Sequence, residues 1–250
     1  MSYKLNPFTG NFDQVLDKAS EITQTGSTSG LGATTVQGAL DAIGNPVVKN
    51  YIKFSNAETN ATTGWSLGTV TLTSNFPSGT PSFGSGANAN LSLTASSSSP
   101  ISGTYSYSYA SSAATTAGDF LASDAFTIDA ADQAKVMTVR FSYTGSSNPS
   151  NVNWSGTSSN SFGIAIYDVT ASAWIMPAGV WGMTQSSGVG TAAATFQTSS
   201  SSTQYRLVIF NANATSDAAT VKFDEFYVGP QTTSIGTIVT DWVSYTPTTQ

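Results

Sequence analysis

Acid–base chemistry in this 250-residue chain rests on fourteen Asp and Glu residues, because it contains no His and no Cys. Two carboxylates in one cleft are the minimum for glycoside hydrolysis. The candidates are Asp129 with Asp132, Asp168, Asp224 with Glu225, and the isolated Glu58 and Asp119. Asp129-Ala-Ala-Asp132 separates two apolar segments, where Asp serves as a turn former. Asp224 and Glu225 are neighbours in an alternating segment, so the strand period sends them to opposite faces. Without His or Cys there is no Ser-His-Asp or Cys-His catalysis and no zinc site of those ligands. Gly26-Ser-Thr-Ser-Gly30 misses the nucleophile elbow because Thr28 stands at the nucleophile position. The sequence has no phosphate loop, dinucleotide fingerprint or EF-hand loop. The expectation is a chain that is not an enzyme.

Binding is the other chemistry on offer. Sugars are gripped by exposed aromatic faces, and the candidates are Trp154, Trp174, Trp181 and the row Tyr105, Tyr107, Tyr109. The three tyrosines share one strand face by the period of two, which suits a core with hydroxyls reaching out to water. Trp154 lies in Asn148-Pro-Ser-Asn-Val-Asn-Trp-Ser-Gly156, which reads as a long loop able to contact a sugar or a neighbouring subunit. Trp154 and Trp181 are the expected glycan contacts.

The elements that must position these residues are strands. Between Tyr51 and Pro230 short alternating segments are separated by Ser, Thr, Gly and Asn. The segments expected as strands are Tyr51–Ser55, Thr69–Thr73, Ala89–Thr94, Thr104–Tyr109 and Ala125–Ile128. Val136–Tyr143, Phe162–Tyr167, Ala192–Gln197, Gln204–Phe210 and Thr220–Val228 complete the set. That number, with Gly/Ser turns between, predicts an all-β antiparallel jelly-roll sandwich. The serine runs Ser96–Ser99 and Ser199–Ser202 read as loop tips.

Composition agrees. Charged residues make up 9%, against about 25% in ordinary soluble domains. The polar surface therefore comes from Ser, Thr, Asn, Gln and Gly, which compete with helix hydrogen bonds and favour strands and turns. Net charge is −6, and the eight Lys and Arg are scattered, so no basic stripe exists for nucleic acid. No apolar run approaches the length of a membrane span, and the start, Met-Ser-Tyr-Lys-Leu-Asn-Pro, has no signal-peptide core. The expectation is a soluble chain released by cell lysis, as a virion part would be.

Residues 1–50 read as a separate anchoring or neck segment, 51–230 as the sandwich and 231–250 as a linker or docking tail. A short helix is predicted from Asn11, with Phe12, Val15, Leu16 and Ala19 on one face. A second is predicted over 34–43: Thr34 and Gln37 form a capping box, Gly44 a stop, and Pro46 lies beyond. Val36, Leu40 and Ile43 make one apolar stripe that needs a partner surface. That surface is either the β domain or a threefold neck. Trp242 and Tyr245, too apolar to leave exposed, read as buried against something; Val36, Leu40, Ile43 and Trp242 are thus the candidate oligomer contacts.

Two resemblances add to this. Leu5-Asn-Pro-Phe-Thr-Gly-Asn-Phe-Asp13 and Thr34-Thr-Val-Gln-Gly-Ala-Leu40 resemble phrases from the N-terminal regions of bacteriophage tail-fibre and other virion structural proteins. Asp241-Trp-Val-Ser-Tyr-Thr-Pro247 looks like a linker that opens a further β domain in such proteins, so the chain is either tailed by a docking segment or a piece of a longer one. The resemblance implies a virion location, a homotrimer, and contacts to other virion proteins through 1–50 and 231–250. It is compatible with a tail fibre, an adhesion component, or a capsid decoration or head fibre. Asn56-Ala-Glu58 and Gly64-Trp65, with Phe223-Asp-Glu-Phe-Tyr-Val228, resemble jelly-roll carbohydrate-binding modules, although Asn-Ala-Glu replaces the more usual Gly-Phe-Glu. That resemblance implies glycan binding and a structural Ca²⁺ held by Glu58 and Asp224 with help from backbone carbonyls. The same two residues also read as solvated acids at strand ends, and the chain as a free carbohydrate-binding module.

Overall fold

The computed structural model describes residues 2–5, 12–15, 49–145, 151–152, 161–178, 188–214 and 218–230. The chain divides into two compact units, Met1–Val48 and Lys49–Gln250. In the first, β1 (Ser2–Leu5) pairs antiparallel with β2 (Phe12–Val15), Ser2 opposite Val15 and Leu5 opposite Phe12. The helix expected from Asn11 is therefore replaced at Phe12–Val15 by a strand; Asn6-Pro-Phe-Thr-Gly10 supplies turn residues that favour a hairpin over a cap. The helix expected over 34–43, with Val36, Leu40 and Ile43, lies outside the described residues, as does Trp242. No helix among the described residues is long and apolar enough to cross a membrane.

The second unit is a jelly-roll β-sandwich. Its strands in order are β3 (Trp65–Thr73), β4 (Phe76–Phe83), β5 (Leu91–Ser96), β6 (Ser106–Ser111), β7 (Asp119–Ser123) and β8 (Phe126–Thr127). They continue with β9 (Val136–Gly145), β10 (Asn151–Val152), β11 (Ser161–Asp168), β12 (Ala173–Ile175), β13 (Gly190–Gln197), β14 (Gln204–Asn211) and β15 (Ala219–Pro230). One sheet runs β10-β11-β14-β7-β3-β4, with β12 on β11 and β8 on β14; the other runs β13-β9-β15-β6-β5. Apart from the short parallel pair β10–β11, neighbours are antiparallel.

Alternation explains the core. On β9, Met137, Val139, Phe141 and Tyr143 are buried, and they pack against Ile164, Ile166, Leu207 and Ile209 of the facing sheet in one cluster. Phe226 of β15 stands among Trp65, Phe141, Tyr107 and Phe223, with ring centroids at 4.1, 5.3, 6.2 and 6.2 Å. Tilted aromatic pairs in this range add to simple area burial. Tyr107 and Tyr109 are core residues, but their hydroxyls turn inward to protein acceptors. Tyr107 donates to the Asn56 carbonyl at 2.8 Å and Tyr109 to Asn211 Oδ1 at 3.2 Å.

A second apolar cluster sits on the far side of the larger sheet. Val70, Phe120, Ala165, Tyr167, Val208 and Phe210 are covered there by Phe76, Phe83 and Trp174. The β3–β4 hairpin rolls over this face until β4 reaches β11. Phe83 meets Phe120 and Tyr167 at 5.4 and 5.6 Å, and Trp174 Nε1–H donates to the Gly79 carbonyl at 2.8 Å. Gly163 admits this packing: a Cβ there would lie 2.0 Å from the Phe210 ring. Trp174 is thus a cover for this cluster.

The segment expected as the first strand, Tyr51–Ser55, forms no strand. Its Lys53–Phe54 stretch turns, and the Asn50 side chain supplies the edge bonding: its Nδ2–H donates to the Phe226 carbonyl and its Oδ1 accepts from Val228 N–H. Tyr51 N–H still donates to the Val228 carbonyl at 2.7 Å. Phe226→Ala should cost about 3–5 kcal/mol, since truncating a buried aromatic loses transfer energy and leaves a cavity. Urea unfolding checks this; a loss under about 1 kcal/mol would mean that the core repacks around the gap.

Candidate functional site

The outward residues of the five-stranded sheet are almost all polar. While β9 sends its apolar set inward, it presents Thr138, Arg140, Ser142 and Thr144 on the other face, and β6 presents Ser106 and Ser108. Register places Ser108 opposite Lys222 and Lys222 opposite Thr144, so one row of hydroxyl, ammonium and hydroxyl crosses β6, β15 and β9. Thr94 of β5 extends the row beyond Ser108. The loop from β5 to β6 rises beside it, and Lys222 Nζ donates to the carbonyls of Ser98 and of Ser99, the latter at 2.8 Å.

These parts enclose a groove of about 570 Å³, with Ser108, Thr144, Thr220 and Lys222 on its floor and Ile101 and Val189 on its walls. The volume falls within the roughly 300–1,000 Å³ typical of ligand clefts. Ser108 is only 8% exposed, yet its hydroxyl has no hydrogen-bond partner among the described residues. Thr144 Oγ1 donates to the Gly188 carbonyl at 2.9 Å. No aromatic side chain lines the groove among the described residues.

One row along, Asp224 stands opposite Ser142. A bulge between Asp224 and Tyr227, with Glu225 at φ +54°, inserts an extra residue. The Glu225 side chain consequently turns to the same face as Asp224, accepting from Ser142 Oγ–H at 2.7 Å. The strand period predicted opposite faces; the bulge overrides it. Asp224 is fully buried beneath the turn at 102–106: Ser106 Oγ–H donates to Oδ2 at 2.8 Å and Glu225 N–H to Oδ1 at 2.9 Å. Burial, opposed in part by these bonds, raises its pKa to about 6. Enclosed in this way it cannot reach a glycosidic oxygen, so the adjacent acids make no hydrolytic pair.

Glu58 grips the same turn from outside. Thr104 N–H donates to both its oxygens at 2.9 and 3.0 Å, and Tyr105 N–H to Oε1 at 3.0 Å. These backbone bonds hold its carboxyl below the usual carboxylate range. Gly103, at φ +59°, lets the carboxylate come this close; a Cβ would lie 2.3 Å from Oε1. Glu58 and Asp224 thus meet one turn, but through N–H and O–H donors. Calcium takes six to eight oxygen ligands, and no third acidic ligand joins them among the described residues. As the side chains stand, hydrogen bonds from the protein's own N–H and O–H groups do the stapling.

The other candidate acids, Asp129, Asp132, Asp168 and Asp119, have structural duties. Lys49 Nζ pairs with Asp129 and, at 2.5 Å, with Asp132, which also accepts from Tyr51 O–H at 2.5 Å. Asp168 Oδ1 caps a turn by accepting Ala171 N–H at 2.9 Å. Asp119 accepts Thr116 and Asn88 N–H at 2.9 and 3.2 Å, and burial raises its pKa. Trp154 and Trp181 lie outside the described residues. The sequence reading missed Ser108, Thr144 and Lys222. Their signal was available: each occupies an outward position of an alternating strand.

No family model matches this sequence, and no curated protein matches it. Among solved structures, a family 16 carbohydrate-binding module is similar at 9% identity and a TM-score of 0.44, covering 72% of this chain and 99% of that one. The CBM22-1 xylan-binding domain from Paenibacillus barcinonensis Xyn10C gives 10% and 0.43, over 72% and 94%. The enzymatically active domain of bacteriophage CBA120 tailspike protein 4 gives 9% and 0.44, over 72% of this chain and 21% of that one.

A melting series checks the staple. The midpoint should not change between EDTA and millimolar Ca²⁺; a rise of several degrees with Ca²⁺ would restore the metal. Asp224 has a folded pKa above its ordinary value, so its stabilising proton is fully bound below that value and lost as pH rises through about 6. In EDTA, the stability of Asp224→Asn relative to the unsubstituted protein should therefore be greater at pH 8 than at pH 5. A pH-independent difference would refute the assignment.

Proposed function

We propose that this chain is a glycan-binding display domain of a virion surface structure, a tail fibre or related adhesion component that attaches to a host surface. The observation that carries the binding reading is the groove on the five-stranded sheet, whose nearly buried Ser108 hydroxyl has no partner among the described residues. A buried hydroxyl left without a partner costs free energy, and a ligand hydroxyl would recover it. Ser and Thr hydroxyls each donate once and accept twice, which matches the alternating donors and acceptors of a sugar ring. The activity proposed is binding, not catalysis.

The virion setting is supported by the resemblance of Leu5–Asp13 and Thr34–Leu40 to phage structural proteins. In this reading residues 1–50 and 231–250 contact other virion proteins, Val36, Leu40, Ile43 and Trp242 contribute to a homotrimer, and the particle is the location. Trp154 and Trp181 would add stacking contacts to the glycan.

A glycan array probed with the full chain should give saturable binding, and Thr144→Tyr, which fills the groove floor, should abolish it while the protein stays folded, with only the small drop in melting temperature expected from losing the bond to Gly188. Unchanged binding by that variant would rule out the groove. Native mass spectrometry at micromolar concentration should show a trimer; a clean monomer would overturn the oligomer.

A further inference from the structure

We infer that the groove selects an acidic sugar residue, whose negative group sits on Lys222. This rests on the glycan-binding reading and names the chemical class of its ligand. The chain carries a net charge of −6 with only eight cations, yet the ionic group on the groove floor is an ammonium. Lys222 Nζ bonds two backbone carbonyls, Ser98 and Ser99, and no carboxylate lies within 4.0 Å of it among the described residues. An ammonium has three N–H donors, so one remains for a ligand. The two carbonyl bonds hold the side chain in place, which lowers the ordering cost of using it.

The surroundings favour an anion here. Asp224, the next outward residue on β15, is enclosed beneath the 102–106 turn and bonded to Ser106. Glu225 is occupied by Ser142. Neither acid lines the groove, and Lys222 stands directly between Ser108 and Thr144. A monosaccharide unit carrying a carboxylate or sulfate can place that group on the ammonium while its ring hydroxyls meet Ser108. Cross-strand neighbours have Cβ atoms about 4.5–5.5 Å apart, a spacing comparable to that between substituents on one sugar ring. With no aromatic on the floor to stack a neutral ring, selectivity falls to charge and hydrogen bonding.

The test uses the full chain on an array holding neutral, sialylated, uronate-containing and sulfated glycans. The strongest binder is then titrated calorimetrically beside its carboxyl-reduced or desulfated counterpart, with Lys222→Gln and Lys222→Arg in parallel. Removing the ligand's charge should weaken binding about tenfold or more, as loss of a charge-assisted hydrogen bond does. Lys222→Gln should lose as much, and Lys222→Arg should retain most of the affinity. Raising NaCl from about 50 to about 500 mM should weaken only the acidic ligand. Should Lys222→Gln fail to fold, the neutral–acidic comparison and the salt series on the unsubstituted protein decide alone. Equal affinity for charged and uncharged forms, with Thr144→Tyr still abolishing binding, overturns the acidic-sugar inference and leaves the groove standing. No binding to any glycan removes both.

Discussion

One inserted residue in β15 sets the geometry on both faces of the five-stranded sheet. In a regular strand Phe223 and Phe226 would point to opposite faces, because an odd separation changes side. The bulge between Asp224 and Tyr227 lets both rings enter the core, where they meet Phe141 and each other. The same insertion leaves Asp224 and Glu225 on the outer face. Aromatic packing within and the polar clasp without are therefore two results of one backbone irregularity. Its strain falls on Glu225, a non-glycine residue at φ +54°, and is held by interactions on either side.

The clasp has an unusual economy of charge. Lys222 holds the carbonyls of Ser98 and Ser99 at the start of the β5–β6 loop; Glu58 and Asp224 hold the N–H and O–H groups of residues 104–106 near its end. Three charged side chains thus fix the nine-residue connection between β5 and β6 without contacting one another in an ion pair among the described residues. This loop is a wall of the groove, so the groove's shape depends on local charge-assisted bonds more than on apolar burial. In a chain with so few charges, placing three of them here concentrates orientation where the surface must keep its form.

Much of the sandwich was legible because half-buried strands announce themselves by period. Val136–Tyr143 and Gln204–Phe210 were identified to within a residue or two. The strands that escaped lack that signal for physical reasons. Asp119–Ser123 is buried on both faces, so it shows no alternation. Phe76–Phe83 contains Pro77 and Pro81, which argue against a strand unless it is an edge. The site was less legible. Glu58 and Asp224, far apart in the chain, meet at one turn, and sequence could not say that N–H and O–H donors would face them there. Ser108, Thr144 and Lys222 are far apart in the chain and become one row only through strand register, which no local pattern encodes.

The prolines that hid β4 have a further effect. β4 ends its sheet, and Pro77 and Pro81 remove two N–H donors from a strand that also curls against β11. An edge so blunted offers no continuous template for another copy's strand. Copies of this domain brought side by side would therefore meet a rolled hairpin at the β4 edge, where a flat open strand would pair them into ribbons.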